Sequence, residues 1–249
     1  MWQSIGLPTA HFQEFTSNQQ PIDPALRYPL FVKPAREGTG MGMGQESVVS
    51  NEADLRKRVA WVIETYKQPA LVEELLTGRE FTVGYIGNRG FPGGRTRPYL
   101  YNVDGYHFFP VLEIDASRSV TPGVYGHAAK VLELDEKGAP AYLCPADISR
   151  ELREQLYTLT QQAAEAIGTC DVSRIDFRLD AAGEPMLLEI NTLPGLNPAV
   201  SDVCIMARAE GLPYTTLITE ILYLAAKRFE LPKPTEAMLR ETAVLGALL

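Results

Sequence analysis

The most constraining stretch of this sequence is RIDFRLDAAGEPMLLEIN, residues 174–191, because its two halves alternate apolar and polar side chains around a turn. Alternation with a period of two is the pattern of a β-strand with one buried face. With the turn at residues 181–184, Asp180 faces Pro185 and the sequence predicts an antiparallel hairpin. The apolar face of this register pairs Ile175 with Ile190, Phe177 with Leu188 and Leu179 with Met186.

The opposite face of the predicted hairpin carries two carboxylates, a guanidinium and an amide. In the same register, Asp176 faces Glu189 and Arg174 faces Asn191. Opposed carboxylates have Cβ atoms about 4.5–5.5 Å apart, which is destabilising unless a cation lies between them. Carboxylate and amide oxygens are ligands of Mg²⁺. The alternative is an exposed sheet face on which Arg174 neutralises an acid, and for an isolated hairpin this is the commoner case.

The charge and composition of the chain argue against several classes of protein. A net charge of −8 does not suit a general nucleic-acid binder, which needs a basic face to meet phosphates. No apolar run reaches the ~20 residues that span a bilayer, and the first residues lack the basic start and apolar core of a signal peptide. Cys144, Cys170 and Cys204 are too widely spaced for a zinc cage or a disulfide framework. We expect a cytoplasmic protein that binds neither nucleic acid nor membrane.

The rest of the chain predicts an α+β protein, because strand patterns dominate and helices are interspersed. Strands are predicted at residues 28–34, 46–50, 69–76, 79–87 and 106–115. Helices are predicted at residues 51–67, at 147–168 with Asp147 or Ser149 as the cap, and from about Pro213 to Arg228. Residues 117–130 are expected to be irregular, and the tail from Leu231 could add one more helix.

A glycine-rich loop, EGTGMGMG at residues 37–44, follows the first of these strands. Such a loop can bring backbone N–H groups close to phosphate oxygens. It lacks the Lys-Ser/Thr of a Walker A motif and the spacing of a dinucleotide-binding motif, and a simple flexible loop is the alternative. Lys33 ends the preceding strand on the face of Phe31, where it can meet a phosphate or remain a solvated edge charge.

Three glutamates, Glu73, Glu74 and Glu80, lie within two predicted strands, although strands disfavour Glu. Glu80 could accept hydrogen bonds from a ribose, and the backbone of residues 73–76 could read an adenine edge. The alternative is the protection of a sheet edge by charge. Lys130 lies in an otherwise apolar, irregular stretch, and a surface lysine is its commoner interpretation.

Four stretches in fixed order carry a resemblance to a known family: YPLFVKPAREGTGMGMG, ALVEELLTGREFTVGYIG, RIDFRLDAAGEPMLLEINTLPGLNP and SDVCIMARAEGLPY. Together they resemble the C-terminal ATP-grasp region of D-alanine–D-alanine ligases over about residues 1–228. The resemblance implies an α+β ATP-grasp fold, in which two α+β subdomains bind the nucleotide between antiparallel sheets. Residues 1–80 would form the small subdomain with the glycine-rich loop, 81–230 the large subdomain with the metal-binding hairpin, and 231–249 a C-terminal tail.

The resemblance also implies a role for each candidate site residue. The residues expected to bind ATP are Lys33, Lys130, the loop residues Glu37, Gly38, Thr39, Gly40 and Gly42, the adenine-side Glu73, Glu74 and Leu76, and the ribose-side Glu80. The expected ligands of two Mg²⁺ ions, for which Mn²⁺ could substitute, are Asp176, Glu189 and Asn191. The expected catalytic groups are Arg174, Lys130 and the N–H near Gly195, and Ser201 with Gly195 would bind the second substrate.

The implied reaction joins two amino acids through an acyl phosphate, giving a D-alanyl-D-alanine-like dipeptide for peptidoglycan. Two features depart from the family pattern. The chain starts where the central domain of the family starts, without the N-terminal domain and a nucleotide-contacting lysine expected upstream of Met1. Val131 follows Lys130 where the family has a tyrosine, which bears on specificity for D-alanine.

The alternatives to a complete D-alanine ligase are the ATP-binding half of a split or truncated ligase, inactive alone, and a ligase for other amino acids. A homodimer, or a separate chain that supplies the N-terminal domain, is a possible assembly.

Overall fold

A computed structural model describes residues 2–38, 40–91, 98–117 and 139–231, and antiparallel strands dominate these ranges. The strands are β1 (Phe12–Phe15), β2 (Leu30–Pro34), β3 (Val48–Val49), β4 (Ala70–Glu74), β5 (Glu80–Gly87), β6 (Tyr106–Phe108), β7 (Leu112–Asp115), β8 (Ala141–Leu143), β9 (Val172–Leu179) and β10 (Pro185–Asn191). The helices are α1 (Glu52–Tyr66), α2 (Arg150–Ile167), α3 (Asp202–Ala209) and α4 (Tyr214–Arg228). Short 3₁₀ turns lie at Trp2–Ile5, Gln45–Ser47 and Pro98–Leu100.

The first sheet has the strand order β1-β4-β2-β3 and is covered by α1. This helix begins where the side chain of Asn51 accepts a hydrogen bond from the Asp54 N–H, the usual arrangement of an N-cap. Its buried face, with Leu55, Val59 and Val62, packs on the apolar side chains of the sheet. Because these positions recur at helical spacing, α1 agrees with the prediction from the sequence.

The second sheet has the order β10-β9-β5-β7-β8, with β6 also paired to β5. Alternate residues of β5 point to opposite faces. Phe81, Val83 and Tyr85 belong to one core cluster together with residues of α2. Ile86 belongs to a second cluster, which contains residues of α3 and α4. The side chain of Thr82 is also on this second face, where it contacts the polar residues of β9.

The predicted fold class and most predicted elements are confirmed. The strands near residues 28–34, 46–50, 69–76 and 79–87 are present, and so are the helices, with Ser149 as the cap of α2. The single strand predicted at residues 106–115 is wrong, because β6 and β7 are separated at Phe109–Val111. Pro110 has no N–H to donate to a ladder, which explains the break.

The predicted hairpin is correct at its open end and wrong near its turn. Ile175 faces Ile190, as expected, but Phe177 faces Leu187 instead of Leu188. The turn closes one residue earlier than predicted: the Asp180 N–H donates to the carbonyl of Glu184, and the Asp180 side chain accepts from the Glu184 N–H. A bulge at residue 188 then restores the predicted pairing.

Three elements were not predicted, namely β1, β8 and α3. The predicted helix beyond Leu231 and most of the stretch 117–130 lie outside the described residues. The first sheet is built from residues 12–74 and the second from 80–191, so the predicted boundary after residue 80 lies one residue inside β5. The division into subdomains stays a prediction. Among the described helices, none is long and apolar enough to cross a membrane.

Candidate active site

A cleft of about 280 Å³ lies between the two sheets. One wall comes from β2, β4 and the glycine-rich loop, and the other from β5, β9 and β10. The predicted site residues that line it are Lys33, Glu37, Gly40, Glu73, Glu74, Leu76, Glu80, Asp176 and Glu189. Gly38, Gly42, Arg174, Asn191, Gly195 and Ser201 lie outside its lining. Thr39 and Lys130 lie outside the described residues.

The carboxylate pair of the hairpin forms part of the second wall. Asp176 is buried, and its Oδ1 accepts a hydrogen bond of 2.6 Å from Thr82 Oγ1. Arg174 donates to both of its oxygens, through Nε at 2.9 Å and Nη2 at 2.8 Å. Glu189 faces Asp176 in the ladder but is exposed, and the Asn191 amide donates to both carboxylates at 3.2 and 3.4 Å. The two acids therefore differ: one is held rigidly and the other is exposed at the cleft.

This donor set suits a hard divalent cation. Among the described residues, no group of three or more His, Cys, Asp and Glu side chains is arranged to hold a metal alone. Two carboxylates with an amide oxygen still match Mg²⁺, which usually binds one or two carboxylates, waters and substrate phosphates. Asp176 and Glu189 thus fit such an ion, and Thr82 fixes the orientation of the Asp176 carboxylate. The amide of Asn191 donates to both acids in this structure and would have to turn its oxygen toward the ion.

Arg174 lies between two carboxylates. Its Nε and Nη2 bind Asp176, and its Nη1 donates to Asp202, the first residue of α3. Burial opposes the charge of this guanidinium, but the attraction of Asp176 and Asp202 outweighs it, so the pKa of Arg174 is raised. The side chain is therefore a permanent cation held next to the carboxylate pair.

The first wall offers a lysine and a row of acids. The Nζ of Lys33 is 2.5 Å from Glu73 Oε2 across the β2–β4 ladder. Glu74 accepts a hydrogen bond from the backbone N–H of Arg27 at 3.1 Å, which ties this strand to the segment before β2. Phe31 lines the cleft on the same face as Lys33, as alternation along the strand predicts.

The glycine-rich loop leaves β2 as two successive tight turns. The N–H of Met41 donates to the carbonyl of Gly38 at 3.1 Å, and that of Met43 donates to the carbonyl of Gly40 at 3.2 Å. Gly40 has a φ of +69°, which glycine adopts without strain. Gly40, Met41 and Met43 line the cleft, so this part of the loop contributes to its first wall.

The end of this loop that lies away from β2 is fixed by α1. Arg58 donates through Nη2 to the carbonyl of Gly42 at 2.7 Å and to Ser47 Oγ at 3.1 Å. Gly42 has a φ of +72°, and a Cβ there would lie 2.7 Å from Cγ of Pro34 and 3.0 Å from Cζ of Tyr66. The loop is thus anchored at its far end, while its glycine-rich part faces the cleft.

Ser201 and Gly195 lie together, away from the cleft lining. A Cβ on Gly195 would be 2.7 Å from Ser201 Oγ, which itself accepts a hydrogen bond from the Asn197 N–H at 2.9 Å. Ser201 directly precedes Asp202, which binds Arg174. The turn before α3 is therefore connected to the polar face of the hairpin through this ion pair.

The residues of the site that were not predicted include Thr82, Arg178, Leu188 and Asp202. Arg178 lines the cleft with its Nη1 3.7 Å from Glu80 Oε2, and the alternation that includes Arg174 and Asp176 could have identified it. Leu188 lines the cleft because the bulge turns it from the apolar face. Thr82 and Asp202 carry no local signal, since each meets its partner only through the pairing of distant elements.

The architecture defines the class to which the protein belongs. Two solved structures share it, both of D-alanine–D-alanine ligase from Bacillus anthracis. The one complexed with ATP has a TM-score of 0.64, and the other has 0.67. Each is 18% identical over 91% of this chain and 63% or 64% of the ligase. The chain thus has an ATP-grasp fold, with its cleft between antiparallel sheets.

Comparison of the sequence with known proteins identifies the family. The family described as D-ala D-ala ligase C-terminus matches residues 1–223, and this chain belongs to it. A D-alanine–D-alanine ligase of Saccharophagus degradans is 31% identical over 226 residues, 89% of this chain and 62% of the ligase. The uncharacterized protein y4sG of Sinorhizobium fredii is 30% identical over 92% of this chain and 61% of its own length. The chain therefore spans about three fifths of these relatives.

Proposed function

We propose that this chain binds Mg-ATP in the cleft and is the catalytic region of an ATP-dependent carboxylate–amine ligase that makes a D-alanyl-D-alanine-like dipeptide. One observation carries the proposal. A lysine and a glycine-rich loop on one wall and an opposed carboxylate pair on the other line the same cleft of about 280 Å³. Family membership and the ATP-grasp fold agree with it.

The order of side chains along β9 supports an orientation for ATP. Asp176 and Arg178 are two residues apart on the same face, so the metal end and the Glu80 end of the cleft are about 7 Å apart. Glu80 then accepts from ribose hydroxyls, and Leu188 packs on the base. The triphosphate extends toward Asp176, within reach of Lys33 and the glycine-rich loop. Lys130 and Thr39 keep the phosphate-contacting roles that the resemblance implies.

The proposed reaction has two steps. A carboxylate oxygen of the first amino acid attacks the γ-phosphorus of ATP, which gives an acyl phosphate and ADP. The neutral amine of the second amino acid then attacks the acyl carbon, the nitrogen loses a proton to solvent, and the carbon–oxygen bond to phosphate breaks, which releases inorganic phosphate and the amide. Bound Mg²⁺ would neutralise phosphate charge at Asp176, Glu189 and Asn191. Lys33 adds positive charge on the opposite wall.

Arg174 is the group proposed to stabilise the oxyanion of the second step. Its permanent charge, raised pKa and fixed position suit a preorganised electrostatic role. Ser201 and the N–H near Gly195, joined to Arg174 through Asp202, are the proposed contacts of the second amino acid.

Phosphate release from Mg-ATP tests the proposal. The chain is incubated with D-alanine and, separately, with a panel of other D- and L-amino acids, and Glu189→Gln serves as the blank. Release with D-alanine supports the proposed reaction, and release with another amino acid keeps the mechanism but changes the substrate. Mg-ATP binding without release would favour the alternative that the chain supplies the ATP-binding half of a larger enzyme. Absence of Mg-ATP binding would overturn the proposal.

A further inference from the structure

Asp202 is a carboxylate next to the site to which the proposed reaction gives no role. It opens α3, its side chain is 11% exposed, and it accepts a hydrogen bond from Nη1 of Arg174. Arg174 therefore joins the carboxylates of two elements, β9 and α3. Next to Arg174 in the ladder, Gly84 of β5 packs closely under α3: a Cβ on Gly84 would be 2.8 Å from Met206 Cε.

The guanidinium of Arg174 is shared unequally. Asp176 binds two of its nitrogens, Nε and Nη2, with both carboxylate oxygens. Thr82 and Asn191 also donate to Asp176, so its two oxygens accept at least four hydrogen bonds. A metal ion that binds Asp176 must compete with these donors, and Arg174 is the strongest of them because it is charged.

We propose that Asp202 is a positioning residue that retains Arg174 when Asp176 turns an oxygen toward the metal. The inference rests on the proposed function, since it assumes Mg-ATP in the cleft. When Asp176 binds the metal, its attraction for the guanidinium weakens, but Nη1 of Arg174 still donates to the carboxylate of Asp202. Asp202 thus lowers the cost of metal binding and keeps Arg174 fixed for the oxyanion. Without Asp202, Arg174 would keep only its hydrogen bonds to Asp176, and it would compete with the metal for the same two oxygens.

The test is the metal affinity of Asp202→Asn, which removes the charge and keeps the size of the side chain. Mn²⁺ binding in the presence of ATP, followed by electron paramagnetic resonance of the free ion, should weaken about tenfold, at the lower end of the 10–100-fold effects of groups that support metal ligands. The affinity for adenosine, which needs no metal, should not change. Asp202→Glu retains the charge and should keep an affinity for Mn²⁺ close to that of wild type.

Glu113→Gln is the matched control. Glu113 is 10% exposed and is bound by Arg79 at 2.6 Å, so its replacement removes a carboxylate from a comparable ion pair of the same sheet, outside the cleft. If Asp202→Asn weakens Mn²⁺ binding and Glu113→Gln does not, the inference holds. Equal effects of the two substitutions, or a loss of affinity in Asp202→Glu as large as in Asp202→Asn, would overturn it. If Asp202→Asn does not fold, Asp202→Ser takes its place as the variant without the charge, with the same expected loss and the same comparison. Failure of the wild-type chain to bind Mn-ATP would instead refute the proposed function.

Discussion

Replacing Glu189 with Gln should separate the stability of the fold from the binding of Mg-ATP. Glu189 is exposed, faces Asp176 across the hairpin, and accepts a long hydrogen bond of 3.4 Å from Asn191. Like charges opposed on a sheet cost about 0.2–1 kcal/mol, so the free energy of unfolding should stay the same or rise by up to about 1 kcal/mol. In a chain of this size, that raises Tm by at most about 2–4 °C.

The same substitution should remove most of the stabilisation by ligand. A ligand at 100 times its Kd stabilises the folded state by about 2.7 kcal/mol, which corresponds to about 5–11 °C in Tm for a chain of this size. Glu189→Gln deletes one of the two carboxylates proposed to bind the metal, so this gain should largely disappear. The substitution should thus leave Tm unchanged or raise it without ligand, and it should lower Tm relative to wild type only in the presence of Mg-ATP.

Thermal unfolding in EDTA and in Mg-ATP measures both quantities. Glu184→Gln is the matched control, because Glu184 is exposed near the turn of the same hairpin and lies outside the cleft lining. The reasoning is refuted if Glu189→Gln unfolds several degrees below wild type in EDTA, or if Mg-ATP raises its Tm as much as it raises that of the control.

Two substitutions and one labelling experiment test separate features of the structure. Gly42→Ala should cost about 1–3 kcal/mol in urea unfolding, because φ is +72° and the new Cβ would lie 2.7 Å from Pro34. Arg178→Met removes the cation next to Glu80, the proposed ribose contact, and should weaken ATP binding by about tenfold in calorimetry, because a hydrogen bond to a charged group contributes about 1.5–3 kcal/mol. The affinity for 2′-deoxy-ATP, which lacks one ribose hydroxyl, should fall less. Burial raises the pKa of Cys144 to about 11, so iodoacetamide at pH 8 should modify the exposed Cys170 first, as peptide mass spectrometry can show.

The predictable part of the site is the part encoded within single strands. Alternation alone placed Asp176 opposite Glu189 and Arg174 opposite Asn191, because a one-residue slip would have turned the apolar set toward solvent. The same pattern contained Arg178, which is two residues from Asp176 on the same face. The alternation of β9 therefore carries a signal for Arg178 as well.

The error near the turn of the hairpin has a local physical cause. The predicted register required Asp180 to face Pro185, but proline cannot donate a hydrogen bond back across the turn. The Asp180 side chain instead accepts hydrogen bonds from the N–H groups of Ala182 and Glu184, which tightens the turn by one residue. The bulge at Leu188 compensates for this, so the sheet keeps the register of its carboxylates and gains an apolar side chain in the cleft.

The groups that support the site could not be predicted, because their contacts depend on tertiary structure. Thr82 reaches Asp176 only through the pairing of β5 with β9, and Asp202 reaches Arg174 only because α3 packs on the same face. Neither residue type is unusual in its own sequence window. A strand or helix pattern constrains which face a side chain occupies, but it does not identify the neighbouring element.

The charges of the cleft connect these observations to nucleotide binding. Among the described residues, the lining contains the carboxylates of Glu37, Glu73, Glu74, Glu80, Asp176 and Glu189 and the cations of Lys33 and Arg178. Such a lining repels a free triphosphate, whose charge has the same sign as the excess of acids. Under the proposed function, divalent cations reverse this balance, because they bind the acids of the hairpin and the phosphates at once. An acidic chain can therefore recognise a polyanion, provided that the metal enters with it and that Arg174 remains in place beside the metal.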